Sequence, residues 1–162
     1  MTRTRLTWLV VLLALVCAGC GVRPSGAIPG DQAPTGPVYG VTLYFARHNE
    51  LIPTLRATTN QFTPIEAITA LVSGPDSREQ SDGMTTQVPP GIVADGLTTD
   101  PSGQTFLGVN INPTTLSTVA VGQLTCTAIT AIANAGTSIN ADTFFIAGQG
   151  AQIGPLRCPE SG

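Results

Sequence analysis

The sequence predicts an α+β fold in which two helices pack on one face of a largely antiparallel sheet, in the order β-β-α-β-β-α-β. Three observations predict it. Residues 38–46 alternate apolar and less apolar side chains with a period of two, Thr63-Pro64-Ile65-Glu66 is a helix start, and residues 116–134 carry apolar side chains at helical spacing. Strands that return on themselves through turns, with helices between the pairs, build a layered α+β domain.

In the first strand, Val41, Leu43 and Phe45 share one face, and Thr42, Tyr44 and Ala46 the other. Arg47-His48-Asn49-Glu50 makes a polar turn, and residues 51–58 return as a second strand that Pro53 places at an edge or a bulge. The turn reads as a solvated hairpin connection, since His48 has no evident catalytic partner. Its exposed groups, Arg47, His48, Asn49 and Glu50, are also candidates for a partner surface.

Thr63 can cap the first helix, Pro64 suits its first position and Glu66 completes a capping box. Ile65, Ile68, Leu71 and Val72 follow at helical spacing until Gly74-Pro75 stops the run. Residues 76–86, the most charged stretch of the domain, read as a solvent-facing loop, and Arg78 and Glu79 join the candidate partner surface. Val88-Pro89-Pro90-Gly91 turns the chain into a strand at residues 92–98. Thr99-Asp100-Pro101-Ser102-Gly103 is a strong turn, and residues 104–111 return as its partner.

The second helix places Val121, Leu124, Ala128 and Ile132 on one face, and Asn134-Ala135-Gly136 supplies its stop. No charged residue occurs between Pro113 and Ala141, and the alanine and threonine content suits close packing on a sheet. Residues 142–148 read as a final core strand with Phe144 and Ile146 on one side and Phe145 on the other. Residues 152–155 add a short extended piece.

Ahead of this domain, Arg3 and Arg5 precede an apolar run from Leu6 to Val16, the layout of a secretory signal. The run is too short to span a bilayer, which takes about 20 apolar residues. Ala18-Gly19 before Cys20 is the pattern that bacterial lipoprotein processing reads, although Cys17 stands where leucine is usual. Residues 1–19 are therefore expected to be a lipoprotein signal peptide, and Cys20 the lipidated first residue of the mature chain. Residues 20–37, with Pro24, Gly26, Pro29, Gly30, Pro34, Gly36 and Pro37, read as a flexible tether, and residues 38–162 as a single domain. This organisation implies a lipid anchor at the extracytoplasmic face of the cell membrane.

Of the 7 basic residues, Arg3 and Arg5 lie in the leader, and the others face 10 acidic residues with no lysine. The domain surface is thus mildly acidic, which excludes nucleic acid as an expected partner. Cys126 and Cys158 are expected to form a disulfide, as an even pair in an extracytoplasmic chain. Zinc would want four ligands, and His48 is far away in sequence. At about 100° per residue Cys126 lies off the apolar stripe of its helix, so it should not point into the core. A bridge to Cys158 then requires the C-terminal tail to cross the outside of that helix.

The chain from Val41 to Gly148 resembles the GerMN domain of the sporulation and spore germination family, in an actinobacterial lipoprotein type. The matching features are Val41-Thr42-Leu43-Tyr44-Phe45, Arg56, Ala67 through Leu71-Val72 to Gly74-Pro75, Val88-Pro89-Pro90-Gly91, Gln123-Leu124 with Thr127, and Phe145-Ile146-Ala147-Gly148. The resemblance implies a non-enzymatic module that contacts envelope components or regulates a membrane-bound partner, with no catalytic residues to carry over.

Three functions remain to be weighed. A lipid-anchored module binding an envelope protein or cell-wall component needs no catalytic set, no cofactor and no metal. A carrier of a small hydrophobic ligand such as a lipid would need a cavity of several hundred cubic ångströms. A cell-wall hydrolase would need a nucleophile, a base and an orienting carboxylate, and His48 is the only base of that kind.

Overall fold

The computed structural model describes residues 39–137 and 143–159, within the compact unit Pro37–Gly162. The leader, Cys20, the tether and Asp142 lie outside the described residues. No described helix is long and apolar enough to cross a membrane.

Strand β1 (Tyr39–Arg47) pairs antiparallel with β2 (Glu50–Thr58), in register from Arg47↔Glu50 to Tyr39↔Thr58. The alternation in β1 has the expected sense, with Val41, Leu43 and Phe45 buried. Helix α1 (Pro64–Val72) begins at the expected capping box. The Glu66 N–H donates to Thr63 Oγ1 at 3.2 Å, while Glu66 Oε2 accepts from the Thr63 N–H at 2.7 Å. Ala67, Ile68 and Leu71 form its buried stripe.

Residues 76–86 are not a plain loop. They contain a second helix, α2 (Ser77–Ser81), with its own capping box between Asp76 and Glu79. Strands β3 (Ala94–Thr99) and β4 (Thr105–Val109) form the expected hairpin, and Asp100 Oδ1 accepts from the N–H groups of Ser102 and Gln104 in its turn, both at 2.9 Å. A short 3₁₀ turn (Pro113–Thr115) leads into α3 (Thr118–Asn134), which Ser117 caps. β5 (Phe144–Gly148) buries Phe144 and Ile146, while Phe145 stacks on Phe106 with ring centroids 5.1 Å apart. The short extended piece expected at residues 152–155 is a full strand, β6 (Ala151–Leu156), paired with β5.

The class is α+β and mostly antiparallel, but the strands form two sheets rather than one: β1-β2, and β3-β4-β5-β6. β4 and β5 run parallel because α3 crosses between them and returns the chain to the same end. The core lies between the sheets and helices, where Leu43, Phe45, Ile68, Leu71, Leu107, Leu124, Ile132, Phe144 and Ile146 are fully buried. At the end of β5, a Cβ on Gly148 would sit 2.2 Å from the carbonyl oxygens of Val109 and Ile111, so only glycine permits that approach.

The sheets stay separate because the outer edge of β1 is already occupied. Ala46 exchanges backbone hydrogen bonds with Thr85, at 2.8 and 2.7 Å. At Tyr44 the N–H donates to Thr127 Oγ1 at 3.1 Å, and the carbonyl accepts from Gln123 Nε2 at 3.0 Å. Gln123 also accepts from the Gln87 N–H at 2.8 Å. Two side chains of α3 therefore do at this edge what a neighbouring strand would do.

This arrangement sets a test. Gln123→Leu leaves the Tyr44 carbonyl and the Gln87 N–H without partners, so urea unfolding should show a loss of about 2–4 kcal/mol at unchanged m-value. Thr127→Val, which orphans the Tyr44 N–H alone, should cost less, about 1–2 kcal/mol.

Candidate functional site

The hairpin turn is held in a defined shape. His48 and Asn49 both adopt positive φ, 52° and 65°, the geometry of a two-residue turn that matches strand twist. Asn49 Oδ1 accepts from Gln87 Nε2, and Gln87 Oε1 accepts from the Ser117 hydroxyl, each at 2.8 Å. The turn is thus linked through Gln87 to the cap of α3. The Ala46–Thr85 bridge brings the end of the 76–86 segment against the same hairpin.

Of the residues expected to form a partner surface, Arg47, His48, Asn49, Glu50 and Arg78 are exposed. Glu79 is not. It is 7 % exposed and forms an ion pair with Arg56, whose Nε lies 2.8 Å from Glu79 Oε1 and whose Nη2 contacts Oε2. Arg56 Nη2 also donates to the Gly74 carbonyl at 3.0 Å, and its guanidinium lies 5.1 Å from the Phe45 ring centroid. Glu79 Oε2 further accepts from the Asp76 N–H at 2.7 Å. Glu79 therefore belongs to the interior joint of β2, α1 and α2. The signal was present in Asp76-Ser77-Arg78-Glu79, which has capping-box spacing but no apolar run behind it.

The Arg56 hydrogen bond is the main cause that holds the Glu79 carboxyl below its ordinary value, against the opposing effect of burial. Glu66 is lowered by the Thr63 N–H and hydroxyl, and Asp100 by the Ser102 hydroxyl and the Gln104 N–H.

Cys126 and Cys158 are joined by a disulfide with Cα atoms 4.8 Å apart. Cys126 is fully buried, although it stands outside the apolar cluster that Leu124 and Ile132 enter. Its side of α3 carries the C-terminal tail. Between the tail, α3 and β2 runs an open groove of about 890 Å³, with Leu51, Pro53, Val119, Gly122, Thr125 and Leu156 among its walls. Sequence periodicity did not point to it. Thr125 is 1 % exposed, and its hydroxyl has no hydrogen-bond partner among the described residues. A second open hollow, of about 490 Å³, lies near Tyr39, Leu55, Phe62 and Ala131. Among the described residues, no group of three or more His, Cys, Asp and Glu side chains is placed to hold a metal.

Two tests follow from these contacts. The folded-state pKa of Glu79 is depressed, so the unfolded chain binds the extra proton, and the pair's stabilisation is complete above the ordinary value of 4.5 and lost as pH falls through the folded value. The urea midpoint should therefore fall on acidification from pH 5. Glu79→Gln should flatten that decline without abolishing it, because Glu66 and Asp100 are lowered too. For the bridge, the oxidised chain should show no alkylated thiol at Cys126 or Cys158. Replacing both by serine should cost about 3–4 kcal/mol for a sequence separation of 32.

No protein-family model matches the chain, and no curated protein matches it. A search of solved structures finds similarity to the tandem GerMN domains of the sporulation protein GerM from Bacillus subtilis, at 17% identity and a TM-score of 0.43, over 60% of this chain and 37% of that one. The chain thus spans well under half the length of that structure.

Proposed function

We propose that this protein is a lipid-anchored, non-catalytic binding or regulatory module at the extracytoplasmic face of the membrane, held there through Cys20 and contacting an envelope protein or cell-wall component. The observation that carries the binding role is the hairpin turn, where exposed Arg47, His48 and Glu50 project from a connection pinned by the Asn49–Gln87–Ser117 hydrogen bonds. A surface held rigid before contact loses little entropy on binding. Three buried polar side chains are committed to structure, Glu79 to Arg56, and Gln123 and Thr127 to Tyr44. The sequence resemblance to the GerMN family supports the same reading, with a partner in the cell envelope. The anchor rests on the leader and on Ala18-Gly19-Cys20.

A second reading, a carrier of a small hydrophobic ligand, is favoured by the groove of about 890 Å³ beside α3, a volume suited to a small molecule. Against it stands a core filled by Phe45, Phe144 and the aliphatic side chains around them.

Membrane fractionation tests the anchor: Cys20→Ser should move the protein to the soluble fraction, and its retention in the membrane would remove the claim. Photo-cross-linking in cells from His48 and Arg78 should capture an envelope partner. If neither position captured one while the purified protein bound lipid extract tightly, the carrier reading would replace the module.

A further inference from the structure

We propose that the outer edge of β2 (Glu50–Thr58) docks a second copy of this chain, with the two β2 strands pairing antiparallel across a two-fold axis into a continuous β1-β2-β2-β1 sheet. The ladder determines which groups that edge presents. Tyr44 and Ala46 turn their N–H and carbonyl groups away from β2, toward Gln123, Thr127 and Thr85. In an antiparallel pair, directly opposite residues both face outward or both face inward. Their partners in β2, Pro53 and Leu51, and by alternation Leu55 and Ala57, therefore direct their backbone groups away from β1. β1 is the only sheet neighbour of β2 among the described residues, so this row is open.

The face carrying these same residues is uncharged. It consists of Gly40, Thr42, Tyr44 and Ala46 from β1 with Leu51, Pro53, Leu55 and Ala57 from β2, of which Ala46 is buried and Leu51 packs toward Gly122 of α3. Leu55 is 73 % exposed, the most exposed large apolar side chain among the described residues. Arg56, the one charged residue between Leu51 and Thr58, turns to the opposite face and is neutralised by Glu79. An incoming strand that matches this edge must be extended, uncharged and apolar on that face, and β2 itself meets the description.

Pro53 locates the axis. It offers a carbonyl but no N–H, so a two-fold axis through Leu55 is favoured. Leu55 then exchanges both backbone hydrogen bonds with the second copy's Leu55, while each Pro53 carbonyl accepts from the second copy's Ala57 N–H. The missing donor falls away from the axis. Glu50 comes opposite the second copy's Asn60, and like charges do not meet. The contact is isologous and closes at two copies.

Introducing a charge at the axis tests this without touching the core, because Leu55 is exposed. The full chain in detergent should show a concentration-dependent dimer by analytical ultracentrifugation. Leu55→Lys and Leu55→Glu should each weaken it about tenfold or more, since like charges then stand directly opposite. Mixing the two variants should restore the dimer as a heterodimer, which a merely misfolded variant would not do. In the wild-type dimer the Leu55 and Ala57 amides should exchange slowly with solvent, and in Leu55→Lys they should exchange fast. A wild-type chain that stays monomeric into the millimolar range, variants that dimerise as the wild type does, or a mixture that forms no heterodimer would each overturn the pairing.

Discussion

The fold depends on how the backbone of Tyr44 is satisfied. A strand edge facing the interior cannot leave its N–H and carbonyl without partners, because each such group costs about 1–3 kcal/mol. Here helix α3 supplies both partners, Thr127 for the N–H and Gln123 for the carbonyl. Gln123 is fully buried and uses its other end on the Gln87 N–H, which fixes the segment leading to Val88 and Ile92 in the core. One amide side chain thus sets the position of α3, the hairpin and the connection to β3. Because it occupies the edge of β1, it also prevents the six strands from merging into one sheet.

The Arg56–Glu79 pair is a second joint of the same kind, made of charges. Pulling two charges from water costs more than their attraction returns unless further hydrogen bonds satisfy them. Arg56 has such a bond at the Gly74 carbonyl that ends α1, with a cation–π contact to the Phe45 ring beside it, and Glu79 has one from the Asp76 N–H. The Arg56 side chain keeps 24% exposure, so it retains part of its hydration while it ties β2 to both helices. The polar stretch after α1 is consequently anchored from within, which leaves Arg78 and its exposed neighbours to face solvent on a fixed frame.

Elements whose signals are local were legible in the sequence. The capping box at Thr63, the alternation of β1, the Asp100 turn and the Gly136 stop each depend on a few adjacent residues, and each stands where those residues place it. The separation of the sheets was not legible, because it follows from contacts between residues 79 and 83 positions apart, Gln123 and Thr127 against Tyr44. Periodicity counts a polar residue as exposed. It therefore passed over Gln123, Thr125 and Thr127, all buried, and favoured Val121, which is only partly so. Glu79 was missed for the same reason: a charged residue in a polar run carries no local mark of burial. The exposure of Arg47, His48, Asn49, Glu50 and Arg78 was legible in their polar runs, whereas the groove beside α3 depends on a tail distant in sequence.

The burial of Cys126 explains the composition of α3. Its stripe of Ala120, Leu124, Ala128 and Ala131 faces the core, and Cys126 lies off that stripe, yet it too is shielded. A helix packed on one side only would carry charges on the other. Here the second side is covered in part by the disulfide-linked tail, and near its start Gly122 is met by Leu51, which would stand 2.9 Å from a Cβ at that position. Covered from both sides, the helix has little surface on which a charge would be solvated. The absence of charge along Thr118–Asn134 thus records two layers of packing rather than the single sheet contact that composition alone suggested.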